Sequence, residues 1–156
     1  MTASRLDIEA RVRESLNAGR ATAAKKSVLP VGTAGASHEF DIFEENKIIG
    51  GISTSPWTNK TGSTNTGGQD RATAELLWLC LWPGQEVRIL VLTDCEMAEK
   101  IYGRFAGCPF TYPIEILHFD VAVEKFTSKG ILGATQQRAP ADLEQPAASR
   151  PSGPNG

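Results

Sequence analysis

Two acids, Glu39 and Asp41, lie in a stretch of alternating character, His38-Glu39-Phe40-Asp41-Ile42-Phe43. A polar segment follows, Glu44-Glu45-Asn46, and then a second stretch, Lys47-Ile48-Ile49-Gly50-Gly51-Ile52-Ser53-Thr54. Period-two alternation on both sides of a polar turn predicts a β-hairpin with one face buried. One face then carries Glu39, Asp41, Ile49, Gly51 and Ser53, and the other Phe40, Ile42, Ile48 and Ile52. A turn over Glu44-Glu45-Asn46 sets Glu39 opposite Gly51 and Asp41 opposite Ile49, so neither acid meets a base across the ladder. Carboxylates without a cationic partner, beside the small residues Gly51 and Ser53, mark a candidate site. On the same reading, removing Asp41 relieves repulsion between unpaired acids. Farther along, Gly67-Gly68 before Asp70 offers backbone amides at a helix start, which is the opposite chemistry, the binding of an anion. The spacing there is not that of a P-loop.

The hairpin resembles the PD-(D/E)XK nuclease superfamily, the restriction-endonuclease-like fold, in which an aspartate on one strand is followed on the next by Glu-x-Lys. Asp41 falls on the family's aspartate, and Gly51-Ile52-Ser53 stands where the family has Glu-x-Lys. The resemblance extends over residues 38–119. It implies a divalent cation, Mg²⁺ or Mn²⁺, that lowers the pKa of bound water and offsets phosphate charge, with a lysine orienting the nucleophile. Mg²⁺ ordinarily relies on one or two carboxylates together with waters and substrate oxygens. The implied metal ligands are therefore Asp41 with Glu39 on the same strand face, or Asp41 with Glu75 from the next helix. Glu75 has a second reading, an ion pair with Arg71 one turn earlier. Lys60 is the nearest candidate to replace the missing lysine, which makes Asp41, Glu75 and Lys60 the expected catalytic set. The family's N-terminal helix can also lend an acid, here Glu9 or Glu14, whose alternative is surface pairing with Arg13 or Arg11. His38 and His118 read as hydrogen-bonded bystanders at strand ends.

These residues need elements to position them. Ser4 and Asp7 form a capping box, and Ile8, Val12 and Leu16 share one helical face that Gly19 would end. Ser27 to Val31 is a short strand that Pro30 confines to an edge or an end. Ser55 to Gly68 is rich in Ser, Thr, Asn and Gly, and its place after the hairpin suits a lid or substrate loop. A central helix runs from a cap at Asp70 through Leu81. Its run Leu76 to Trp82 is apolar almost all round, which calls for packing on more than one side. Val87 to Leu92 reads as a doubly buried strand, and Thr93 with Glu96 as the cap of a helix through Phe105. Ile114 to Phe119 is a strand, and Val121 to Leu132 a final helix. The order implies an α/β domain with a mixed central sheet flanked by helices, a restriction-endonuclease-like core.

One domain over residues 1–133 suits the length of 156 residues, and the Pro-, Ala- and Ser-rich composition of 134–156 predicts a disordered tail. A net charge of −2 gives no global attraction to nucleic acid, so DNA contact calls for a local basic patch. No apolar run reaches the roughly 18 residues of a membrane span, no signal peptide is visible, and the expected location is cytoplasmic. Cys80, Cys95 and Cys108 lack the spacing of a zinc site and are expected to be buried thiols.

Three functions follow. The first is a nuclease-like domain that has lost hydrolysis and serves as a nucleic-acid-related binding or scaffolding module. The second is an active metal-dependent DNA endonuclease with relocated residues, and the third a small anion-binding α/β domain. A protein partner or a second copy of the chain is compatible with each.

Overall fold

The computed structural model describes residues 3–134. In chain order the elements are α1 (Arg5–Arg20), β1 (Lys25–Pro30), β2 (Ser37–Glu44), β3 (Ile48–Ser53), α2 (Thr66–Leu81), β4 (Val87–Leu92), α3 (Cys95–Phe105), β5 (Ile114–Asp120) and β6 (Lys125–Leu132). The six strands form one open sheet in sequence order. The β1–β2, β2–β3 and β5–β6 pairs are antiparallel, and β3–β4 and β4–β5 are parallel. Parallel neighbours need a crossover, which α2 and α3 supply. Two successive crossovers of the same hand, moving the same way along a sheet, put both helices on one face. The packing agrees: Leu76 and Leu79 of α2 and Met97 and Ile101 of α3 share a core with Phe40, Ile49, Leu90 and Ile116. Val12 and Leu16 of α1 cover the other face, against Ile42, Ile48, Ile52, Ile89 and Phe119. The domain is α/β with a mixed sheet between helices, as its patterning predicts.

Local chemistry explains the ends of the helices. The capping box of α1 is present, with Ser4 Oγ accepting from Asp7 N at 3.1 Å and Asp7 Oδ2 from Ser4 N at 3.2 Å. Its end is not Gly19. Asn17 Oδ1 accepts from Ala24 N at 2.9 Å and from Thr22 Oγ1 at 2.7 Å, which fixes the turn one step later with Ala21 left-handed at φ 54°. Helix α2 starts before Asp70, because Asn65 is the cap and accepts from Gly68 N at 3.1 Å. Asp94 rather than Thr93 caps α3, accepting from Met97 N at 2.9 Å.

Four further expectations are corrected. The final helix is absent: residues 121–124 turn, with Glu124 at φ 55°, and 125–132 return as β6, pairing Phe126 with Phe119. Alternation in Lys125-Phe126-Thr127-Ser128 suits an edge strand better than a helix face. The central helix packs on one side, leaving Leu77 and Leu81 more than half exposed. Cys80 and Cys95 are exposed and Cys108 is half-buried, so the thiols are not core residues. The hairpin turn is one residue later than expected, pairing Glu44 with Ile48 and placing Asn46 left-handed at φ 65°. Of the expected tail, residues 135–156 lie outside the described residues.

Candidate functional site

A break in the regularity of β2 builds the site. Opposite β1, Ser27 pairs with Phe40 and Lys25 with Phe43, so β2 carries one residue more than its neighbour between those points. Such a bulge turns successive side chains out of strict alternation. Phe40 therefore enters the core under α2 and α3, and Ile42 enters the core under α1. Phe40, Asp41 and Ile42 are buried in succession. The regular β2–β3 ladder reaches Ile42–Gly50. Beyond it, Asp41 Oδ2 accepts from Ile52 N at 2.8 Å, a carboxylate taking the place of a backbone carbonyl between two diverging strands.

Asp41 faces a cleft of about 590 Å³ between β2, β3, the start of α1 and the side of α2 that carries Arg71, Glu75 and Trp78. Glu75 of α2 enters the same cleft from the opposite wall. A Cβ built at Gly51 would lie 2.3 Å from Glu75 Oε1, so the carboxylate from the helix occupies the volume that a side chain on β3 would fill. The expected ion pair with Arg71 is not the contact made. Arg71 donates to Ser55 Oγ at 3.1 Å, and Glu75 instead meets His38 Nε2, at 3.1 Å from Oε2 and 3.4 Å from Oε1. His38 is itself stacked on Trp78, with centroids 4.7 Å apart and planes 7° from parallel.

The electrostatics follow from burial and crowding. Loss of water first, and the Asp41 charge second, push the Glu75 carboxyl up to about 8, with Arg5 opposing the shift. Burial also raises Asp41; the Ile52 amide opposes it, and Glu9 adds to it. Burial lowers His38, so the His38–Glu75 contact joins a neutral ring to a protonated acid at neutral pH.

Glu9 is fully buried rather than a surface charge. It is paired with Arg5 at 2.7 Å, and its Oε1 accepts no hydrogen bond, with Lys26 Nζ 3.4 Å away. The expected surface pairing with Arg13 or Arg11 is replaced by Arg5 one turn earlier and by Lys26 from β1. Glu39 is exposed at the cleft rim. Lys60 is not brought to the acids: it is exposed in a turn closed by Asn59 N to Ser63 O at 2.8 Å, and it does not line the cleft. The basic side chains that line it are Arg5 and Arg71. The segment carrying Lys60 is fastened to α3, Trp57 N donating to Asp94 Oδ2 at 3.0 Å and Thr58 Oγ1 to Glu96 Oε1 at 3.2 Å. Those bonds favour a fixed wall over a swinging lid. His118 does not line the cleft either.

Among the described residues, no three of His, Cys, Asp and Glu are gathered as a metal-binding group. Two carboxylates are nonetheless the protein share that Mg²⁺ commonly takes, the rest being waters and substrate oxygens. Asp41 and Glu75 meet that description, and the Asp41 charge that raises the affinity of Glu75 for its proton is the electrostatic condition a cation relieves. Glu39, exposed at the rim, is the less enclosed donor. Comparison with protein-family models, curated proteins and solved structures gives no match to this chain.

Proposed function

We propose that this chain is a nuclease-like domain of the restriction-endonuclease-like type, with a relocated carboxylate pair, Asp41 and Glu75, acting on nucleic-acid phosphodiesters with Mg²⁺ or Mn²⁺. The observation that carries the reading is the overlap of the Glu75 carboxylate with the space above Gly51. The resembling family places its second acid on that strand, and here an acid of the following helix reaches the same place. The strand order and the splaying of β2 from β3 at Asp41 support the same reading.

Asp41 and Glu75 would hold the cation, which supplies Lewis acidity toward a phosphoryl oxygen and a more acidic bound water. The chain's own residues do the rest. Arg71, tethered to Ser55, and Arg5 offer guanidinium donors to phosphate, in forks that suit its oxygens. Cleft walls from both β2 and α2 exclude bulk water from the acids and strengthen the charges that act there.

Binding without turnover is the second reading, and a specific observation favours it: Ser53 stands in the family's lysine position, while Lys60 is remote from the cleft. The experiment is incubation of supercoiled plasmid and of single-stranded DNA with Mg²⁺ or Mn²⁺, beside Asp41→Asn and Glu75→Gln. Nicking that both variants lose is the expected result. Retained DNA binding with no nicking by the wild type makes this a binding module. Neither binding nor cleavage overturns both readings.

A further inference from the structure

The carboxylate of Glu75 is carried on a flexible side chain from a helix surface, and a pair with Asp41 requires that it be held over Gly51. Among the described residues, the side chain that hydrogen-bonds it is His38, through Nε2 to both oxygens. His38 is locked in turn, stacked on Trp78 with centroids 4.7 Å apart and packed edge-to-face with Phe40 at 4.9 Å, the planes 86° apart. Trp78 lies one turn beyond Glu75 on α2, so the helix that carries the acid also carries the platform for the histidine. His38 belongs to β2, three residues from Asp41. The acid on α2 is thus held by a ring from the strand that carries Asp41.

We infer that His38 is a positioning residue, whose ring nitrogen and stacked ring hold the Glu75 carboxylate above Gly51 and toward Asp41 for cation binding. The inference rests on the proposed metal site and adds a residue to it. A ring fixed by two aromatic neighbours loses little freedom in making the bond, so orientation costs little at the moment of binding. Groups that orient metal-ligating side chains commonly change affinity by roughly 10- to 100-fold when removed.

Three variants separate the bond from the packing. His38→Phe keeps an aromatic ring on Trp78 without a donor, His38→Gln restores an amide nitrogen near the position of Nε2, and Glu75→Ala removes the acceptor. The readouts are Mn²⁺ affinity by titration calorimetry and the ¹⁵N shifts of the His38 ring in metal-free protein, with near-UV circular dichroism as the fold control. Expected is a roughly 10-fold or greater loss of Mn²⁺ affinity in His38→Phe, largely restored in His38→Gln. Wild-type affinity in His38→Phe, or no restoration by Gln, overturns the inference while leaving the metal site standing. If the wild type binds no Mn²⁺, the metal reading fails, and the ring shifts still decide the contact. Unchanged His38 shifts in Glu75→Ala overturn the positioning role, and a displaced Nε2 signal supports it without the metal.

Discussion

Asp41 Oδ2 holds the amide of Ile52 at 2.8 Å across the gap where β2 and β3 part. That bond reverses the expectation that removing Asp41 relieves strain. In Asp41→Ala the buried Ile52 amide loses its acceptor, a loss worth about 1–3 kcal/mol of stability. Asp41→Asn keeps an oxygen acceptor, lacks the charge, and is expected to unfold within about 0.5 kcal/mol of the wild type or above it, because burial raises the native acid's pKa. Urea unfolding of the two variants distinguishes them, and an Ala variant as stable as the Asn variant would refute the structural role. On the proposed function, both are expected to lose Mn²⁺-dependent nicking.

The overlap between Glu75 and the space above Gly51 predicts a swap. Gly51→Ala and Gly51→Glu each force the Glu75 carboxylate aside, since the new Cβ would stand 2.3 Å from Oε1. Because the clashing atom is the end of a flexible side chain in an open cleft, the stability cost is expected to be small, and the displacement is read as a fall in Mn²⁺ affinity. Gly51→Glu combined with Glu75→Ala returns the acid to the strand and frees the space. The double variant is expected to bind Mn²⁺ more tightly than either single one, as read by calorimetry. Additive losses would show that the two positions do not serve one carboxylate.

Arg88 predicts stability away from the site. It is buried in β4, and its guanidinium donates to Leu79 O at 2.9 Å, Gly84 O at 3.0 Å, Glu86 O at 3.2 Å and Trp82 O at 2.5 Å, with the Tyr112 ring beneath it at 4.1 Å. One side chain thus satisfies the carbonyls where α2 ends and the chain enters β4. Arg88→Met leaves those acceptors unpaired and is expected to cost about 3 kcal/mol or more. Arg88→Lys recovers little, because a point ammonium cannot reproduce the planar fork. Thermal unfolding that ranks Lys with the wild type would contradict this.

The parts of the fold legible in the sequence are those set by local rules. The capping box at Ser4 and the apolar strand at Val87–Leu92 are written in consecutive residues, and both are in the structure. The bulge in β2 was not legible, since His38-Glu39-Phe40-Asp41-Ile42 alternates as a regular strand does and the extra residue shows only in the register against β1. Glu75 was legible as a candidate; its contact was not, because His38 is remote in sequence and Arg71 is a closer partner on the helix. Lys60 is near the acids only along the chain. Nearness in space depends on a turn anchored to α3, and that favours Arg5 and Arg71 as the cleft's cations.

Glu75 also sets a pH dependence. Its carboxyl is pushed up to about 8 by burial and by Asp41, against 4.5 for an ordinary glutamate. Arg5 and Glu9 of α1 and His38 and Asp41 of β2 are the charged or titratable groups around it. Between those two pH values the native protein keeps a proton that the unfolded chain has released, so stability falls as pH rises through that window. The limiting slope is about 1.4 kcal/mol per pH unit, and the total on the order of a few kcal/mol. Glu75→Gln has no proton to lose and is expected to flatten the curve, gaining on the wild type most at pH 8 and above. Burial lowers His38, which works at the other end, removing stability as pH falls below about 6.5. A cation competes with the proton for Glu75, so the stabilisation conferred by a fixed Mn²⁺ concentration should grow from pH 6 to pH 8 in the wild type and stay small in Glu75→Gln. Denaturant midpoints across that range, with and without Mn²⁺, test both limbs. A wild-type curve that rises from pH 5 to pH 8 would mean that Glu75 is ionised in the native cleft.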